Sequence, residues 1–205
     1  MSPDTRLYLN GLAAVLVAVV VGGYFYSYSS VDAGTADDAP GPYMTIEVDG
    51  EAKGTIVIDL NETAAPRHVA QMTEIANSGG YNGVVFHRVI EGFMAQTGDV
   101  QFGRAGGDLS AAGTGASSLP DIPAEFSDIP FLRGTVGMAR SSNPDSANSQ
   151  FFIMFAPGEF LNGEYTVVGR VTEGLDVLDR IKRGNADLNG AVEGTPDVMV
   201  TVGVK

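Results

Sequence analysis

Between Leu7 and Tyr26 the chain runs for 20 residues without a charged side chain, and Asn10 is the only strongly polar residue in that run. No other feature constrains the chain as much, because it assigns the polypeptide to two solvents. At ~1.5 Å rise per residue a helix of this length reaches ~30 Å, the hydrocarbon thickness of a bilayer. The Val-rich centre (Val15, Val17, Val19, Val20, Val21) favours a strand in water. In lipid a helix wins, because every backbone group must be satisfied within the segment. Tyr8 at one end and Tyr24, Phe25, Tyr26 and Tyr28 at the other suit aromatic interface belts. Residues 7–26 are therefore predicted to be a transmembrane signal anchor behind a short tail, 1–6. Arg6 precedes the run and the next basic residue is Lys53, so the tail is expected in the cytoplasm and the rest across the membrane. The alternative is a cleaved signal peptide, with Val31-Asp32-Ala33 or Gly34-Thr35-Ala36 as the small-residue site. Ala14, Ala18 and Gly22 form a small-residue stripe on which a partner helix could pack closely.

Ser27 to Pro42 is rich in Ser, Asp, Ala, Gly and Pro and has no apolar period, so 27–42 is read as a flexible linker. One domain then occupies 43–205, about 163 residues, enough to bury ~68–70% of its unfolded surface. Setting aside Arg6, Asp4, Asp32, Asp37 and Asp38, it has 11 basic and 21 acidic side chains, a charge of -10. A phosphate-tracking protein needs a basic patch, so nucleic acid is not an expected partner. The chain has no Cys, which removes disulfides, thiolate nucleophiles and Cys-ligated zinc. Its two histidines, His68 and His87, are too few for an imidazole metal site, and its acids are scattered. No metal and no cofactor are expected.

Tyr43–Val48 alternates apolar and polar residues, Asp49-Gly50 signals a turn, and Thr55–Leu60 continues the pattern, which predicts a hairpin. Thr63 is placed to cap a helix with Pro66 in its first turn, and Val69, Met72, Thr73 and Ala76 share one face. That use of Thr63 also tells against Asn61-Glu62-Thr63 as a glycosylation acceptor. Short apolar runs follow at 84–90, 93–96, 134–139, 150–155 and 166–171. A helical spacing of Leu175, Leu178 and Ile181 comes next, then a strand at 198–202. Many short strands and few helices predict a mainly-β barrel or sandwich with helices covering its ends.

Hydrolytic chemistry has no constellation here, since Gly-x-Ser-x-Gly is absent and His68 falls in a predicted helix as a surface or packing residue. Phe102–Gly115 is Gly-rich, but no Gly-Lys-Ser/Thr follows, so it reads as a surface loop and not a phosphate cradle. Arg88 is the residue that stands out. It sits next to extended runs with Phe93 and Met94, and Gln96 alternates with Met94 and can brace it. An arginine over an apolar floor needs a partner or a task; residue types alone leave a functional arginine and a structural salt bridge both open. His87, on the other face of the strand, reads as structural.

Four segments, FHRVI with GFMAQTGD (86–99), GTVGMAR (134–140), NSQFFI (148–153) and FLNGEYTVVGRV (160–171), together resemble the cyclophilin-type peptidyl-prolyl cis/trans isomerases in the form common in bacteria. The order and spacing match, and the resemblance covers 43–205. It implies a closed antiparallel eight-stranded β-barrel capped by two α-helices, here preceded by the transmembrane helix. It implies catalysis of rotation about X–Pro bonds by Arg88, oriented by Gln96. It further implies a substrate groove of Phe93, Met94, Ala139, Arg140, Gln150, Phe152, Phe160, Leu161 and Tyr165. Substrates would be proline-containing segments of unfolded or exported proteins, handled on the periplasmic face of a bacterial inner membrane, or in the soluble periplasm if the segment is cleaved. The chain departs from many eukaryotic members at three groove positions: Phe160 stands for Trp, Tyr165 for His and Arg140 for Asn. A second reading makes the domain a membrane-anchored accessory subunit or scaffold of a membrane complex, with the groove as a binding module.

Overall fold

A computed structural model describes residues 40–205. The expected membrane helix at 7–26, the stripe of Ala14, Ala18 and Gly22, and the linker as far as residue 39 lie outside the described residues. Among the described residues no helix is long and apolar enough to cross a membrane.

Strands β1 (Tyr43–Asp49) and β2 (Gly54–Leu60) form the predicted antiparallel hairpin, with Ile46 opposite Ile56 and Met44 opposite Ile58. The sequence alternation becomes alternation in burial: Met44, Ile46 and Val48 are buried, while Tyr43, Thr45, Glu47 and Asp49 face out. Helix α1 (Pro66–Asn77) follows and buries His68, Val69, Met72, Ile75 and Ala76. Next come β3 (Val84–Val85), β4 (Arg88–Ile90), β5 (Met94–Thr97), β6 (Thr135–Met138), β7 (Phe151–Met154) and β8 (Val167–Glu173). Helix α2 (Leu175–Arg180) and strand β9 (Val198–Val204) complete the order.

The nine strands of the described residues belong to one sheet, ordered β3-β9-β1-β2-β8-β6-β7-β5-β4, and every pairing among them is antiparallel. The sheet curls into a half-barrel, and the described residues add two helices. This corrects the expectation of eight strands closed by ladders. The run 84–90 is not one strand but two, β3 and β4, and these are the two edges of the sheet. At the break, Phe86 N donates to Asp197 O and Val192 N donates to His87 O, so this backbone is spent on the 190–197 segment. The polypeptide itself, rather than a ladder, joins the two edges.

Inside the curl, Met44, Ile46, Ile56, Ile58, Val136, Met138, Phe151, Ile153 and Val168 form the main core with the buried face of α1. A second, smaller cluster lies on the other face of the β5–β7–β6 region: Met94, Phe131, Phe152, Met154, Leu161 and Val167. Strand β7 serves both. Its odd-numbered residues point into the main core and its even-numbered ones into the second cluster, so all four are buried.

The start of α1 is also built differently from its local reading. Thr63 is exposed and makes no cap; the helix follows Ala65, with Pro66 in its first turn. The cap comes from far along the chain. The Glu125 carboxylate accepts from Arg67 N and His68 N, each at 3.1 Å, and meets His68 Nδ1 at 2.6 Å. Asn61 turns its side chain inward, Oδ1 accepting from Ala64 N at 2.8 Å. His68 is thus a packed and partnered side chain.

Candidate active site

Strand pairing brings the site together. Arg88 in β4 lies opposite Gln96 in β5, Gln96 opposite Phe152 in β7, and Phe152 opposite Gly137 in β6. These four residues form one row across the outer face of the sheet. Met94 shares the face two residues from Gln96, while Val89 and Ala95 point into the core. Gly137 is required at its place. A Cβ there would come within 2.6 Å of both Phe131 and Phe152, whose rings stack at 5.7 Å between centroids.

The Arg88 guanidinium is held at several points. Nη1 donates to Gln96 Oε1 at 3.1 Å, Nε to Asn189 O at 3.0 Å, and Nη2 to Asn189 Oδ1 at 3.1 Å. Gln96 in turn donates through Nε2 to Gln150 Oε1 at 3.0 Å, and Gln150 Nε2 donates to Gly115 O at 2.8 Å. Among the described residues no carboxylate takes part, so Arg88 is braced there by neutral groups. Half-burial lowers its pKa from the ordinary value, against a smaller opposing effect of Tyr165; a guanidinium starts so high that it stays charged at neutral pH.

Arg88, Phe93, Met94, Gln96, Ala139, Arg140, Phe152, Phe160, Leu161 and Tyr165 line one open hollow of about 260 Å³. Gln150 is the one residue of the expected groove outside that lining. It belongs to an adjoining hollow of about 390 Å³ that shares Gln96, Ala139 and Arg140 and also contains Asp121. The floor is apolar: Met94, Phe152 and Leu161 are all buried. The rim is aromatic, with Phe160, 70% exposed, packed on Phe93 at 5.5 Å between ring centroids. Tyr165 stands edge-on to Phe152 at 5.9 Å and carries the Arg140 guanidinium 4.3 Å above its ring. Arg140 also donates to Ser141 O and Glu164 O, at 2.9 and 3.0 Å. The Ala139 amide is already committed, donating to Gln150 O at 2.9 Å, which leaves it no proton for a bound peptide. A larger hollow of about 520 Å³ lies between the end of α1 and residues 100–119. Its arginine, Arg104, is spent on the carbonyls of Gly80, Asn82 and Val100.

Behind the row stands the Gly-rich loop. The Asp99 carboxylate is fully buried and accepts from Gln101, Phe102, Gly113 and Gly115 N at 2.7–3.0 Å. Burial alone would raise its pKa; the four backbone donors outweigh that and hold it below the ordinary range. The loop is thus a shaped element, and Gly115 ends the chain of bonds that begins at Arg88. His87 lies beneath Gly113, where a Cβ would come within 3.2 Å of its Nε2. Its pKa is lowered, first by burial and then by Arg88, with Asp99 opposing. Sequence reasoning missed Asn189. The Asn-Gly pair at 189–190 is a turn signal, but nothing in it shows that the turn docks 101 residues back, on Arg88.

Residues 43–204 match the family described as cyclophilin type peptidyl-prolyl cis-trans isomerase/CLD. A protein of Brucella suis described as a probable peptidyl-prolyl cis-trans isomerase is 59% identical over 149 residues, covering 72% of this chain and 76% of that one. The peptidyl-prolyl cis-trans isomerase of Helicobacter pylori is 40% identical over 147 residues, covering 70% of this chain and 82% of its own. Among solved structures, cyclophilin AquaCyp293 from Hirschia baltica superposes with a TM-score of 0.65 at 27% identity, over 80% of this chain and 74% of that one.

Proposed function

The chain belongs to the cyclophilin-type peptidyl-prolyl cis-trans isomerases, and on that premise we propose that Arg88 accelerates X–Pro rotation by stabilising the twisted amide. Rotation crosses a barrier of ~18–20 kcal/mol because it breaks amide resonance. It needs no acid, base or nucleophile, only a site that binds the twisted form better than the planar one. In the twisted form the prolyl nitrogen regains its lone pair, and a guanidinium N–H aimed at that nitrogen favours this state alone. Each tenfold in rate needs ~1.4 kcal/mol, within reach of a charge-assisted hydrogen bond beside an apolar floor.

The observation that supports this reading is the company Arg88 keeps. Its guanidinium meets the carbonyl oxygens of Gln96 and Asn189 and no carboxylate, beside the buried apolar floor of Met94, Phe152 and Leu161. Arg133 is paired with Asp179 instead, and Arg104, also spent on carbonyls, lines a hollow with no aromatic side chain. Phe93, Met94, Phe152 and Leu161 hold the proline ring, Gln150 holds the peptide in the adjoining hollow, and Gln96 orients Arg88. The clients are exported proteins and the place of work is the periplasmic face of the inner membrane; both rest on the uncharged run 7–26. Replacing Arg88 with Ala is expected to lower kcat/KM on a proline tetrapeptide by about 100- to 1000-fold, with the thermal midpoint retained. Equal rates for the two proteins, by exchange NMR or a coupled protease assay, would show that the assignment to Arg88 is wrong.

A further inference from the structure

We infer that Asn189 is a positioning residue for Arg88: it grips one edge of the guanidinium so that the other edge faces the groove. A guanidinium has five N–H groups. Asn189 takes the Nε–H through its main-chain oxygen and one Nη2–H through its side-chain oxygen, and Gln96 takes one Nη1–H. One Nη2–H remains, and the second Nη1–H points to Met94 Sδ, 4.0 Å from Nη1, so that nitrogen is turned to the floor of the hollow. Two acceptors from a single residue fix the rotation of the planar group, which one acceptor cannot do.

The turn that carries Asn189 is built for this. Asn189 has φ 54° and ψ 35°, and is the only non-glycine with positive φ among the described residues. Asn tolerates that left-handed conformation better than most residues do. The turn is also fastened to the strand that bears Arg88. Val89 N donates to Gly190 O, Gly190 N donates to Asn185 O, both at 2.8 Å, and Arg88 bridges to Ala191. Gly190 lies so close that a Cβ would come within 2.4 Å of Ile90. Main-chain bonds thus tie the Asn189 turn to the strand that bears Arg88. Asn189 does not line the hollow, so its effect on a bound peptide passes through Arg88.

The inference rests on Arg88 acting on the twisted amide, and its test separates the two. N189G keeps the left-handed backbone and the main-chain oxygen and removes only Oδ1. It is expected to lower kcat about tenfold, the worth of one hydrogen bond to a charged group, with KM and the thermal midpoint unchanged. N189D keeps an acceptor at the same atom but sets a carboxylate on Arg88, and compensating that charge is expected to lower kcat further than N189G does while the thermal midpoint is held. An unchanged kcat in N189G, or a loss there that falls on KM and not on kcat, overturns the role of Asn189 when R88A is inactive. A wild-type rate in R88A overturns instead the reading of Arg88 on which this one stands.

Discussion

Two guanidiniums, Arg88 and Arg140, line the hollow and none of its lining residues is acidic. Arg140 is anchored by two carbonyls and by the Tyr165 ring, which hold its place without cancelling its charge. Peptides with Asp or Glu beside the proline are therefore expected to turn over faster than those with Lys. Replacing Arg140 with Ala should reduce that preference by about threefold to tenfold, the range for a partly exposed charge; the ratio of kcat/KM for the two peptides measures it, and a ratio unmoved by the substitution would count against the charge argument. At this scale the sequence was informative about identity. Arg88 among Phe93, Met94 and Gln96 marks itself by its unsuitability for an apolar core. Asn189 does not, because an Asn-Gly turn looks the same whether its side chain meets water or an arginine.

Elements show where a local rule stops. Alternation in β1 and the apolar spacing of α1 were readable because each depends on neighbours in sequence. The cap of α1 was not, because Glu125 approaches from 57 residues away and displaces the nearby Thr63. That junction has a pH signature. His68 is fully buried. Burial lowers its pKa and Arg67 adds to that, while Glu125 opposes through its hydrogen bond and charge. His87 is lowered too. A histidine whose folded pKa lies below 6.5 stabilises the fold fully above that pH, and the contribution is lost as pH falls towards the folded value. Glu125 is also lowered, because bonds from His68 and the helix backbone outweigh its burial; like Asp99, it loses its contribution only in the more acidic carboxylate range. The window below pH 6.5, above the carboxylate range, thus belongs to the histidines. Urea unfolding should show stability falling there, by up to ~1.4 kcal/mol per pH unit for each. A flat profile would mean that neither histidine is held neutral.

For the whole molecule, we propose that the uncharged run 7–26 ties the acidic domain to a membrane. The mass of the mature chain, measured from a membrane fraction, is expected to include that run; a soluble periplasmic chain starting near residue 34 or 37 would replace the anchor with a cleaved signal. Sequence by itself determined the mainly-β architecture, because period-two burial is written locally, and the family, through the motifs between 86 and 171. Only tertiary structure decided how the sheet ends and what holds the arginine. The run 84–90 reads as one strand, yet its backbone at 86–87 is claimed by the 190–197 segment, so it supplies both edges of a curled sheet. The turn just before that segment carries Asn189 to Arg88, and the Asp99 loop carries Gly115 to Gln150. Each is a hydrogen bond between residues far apart in the chain, and such pairings are chosen by the packing of the whole fold.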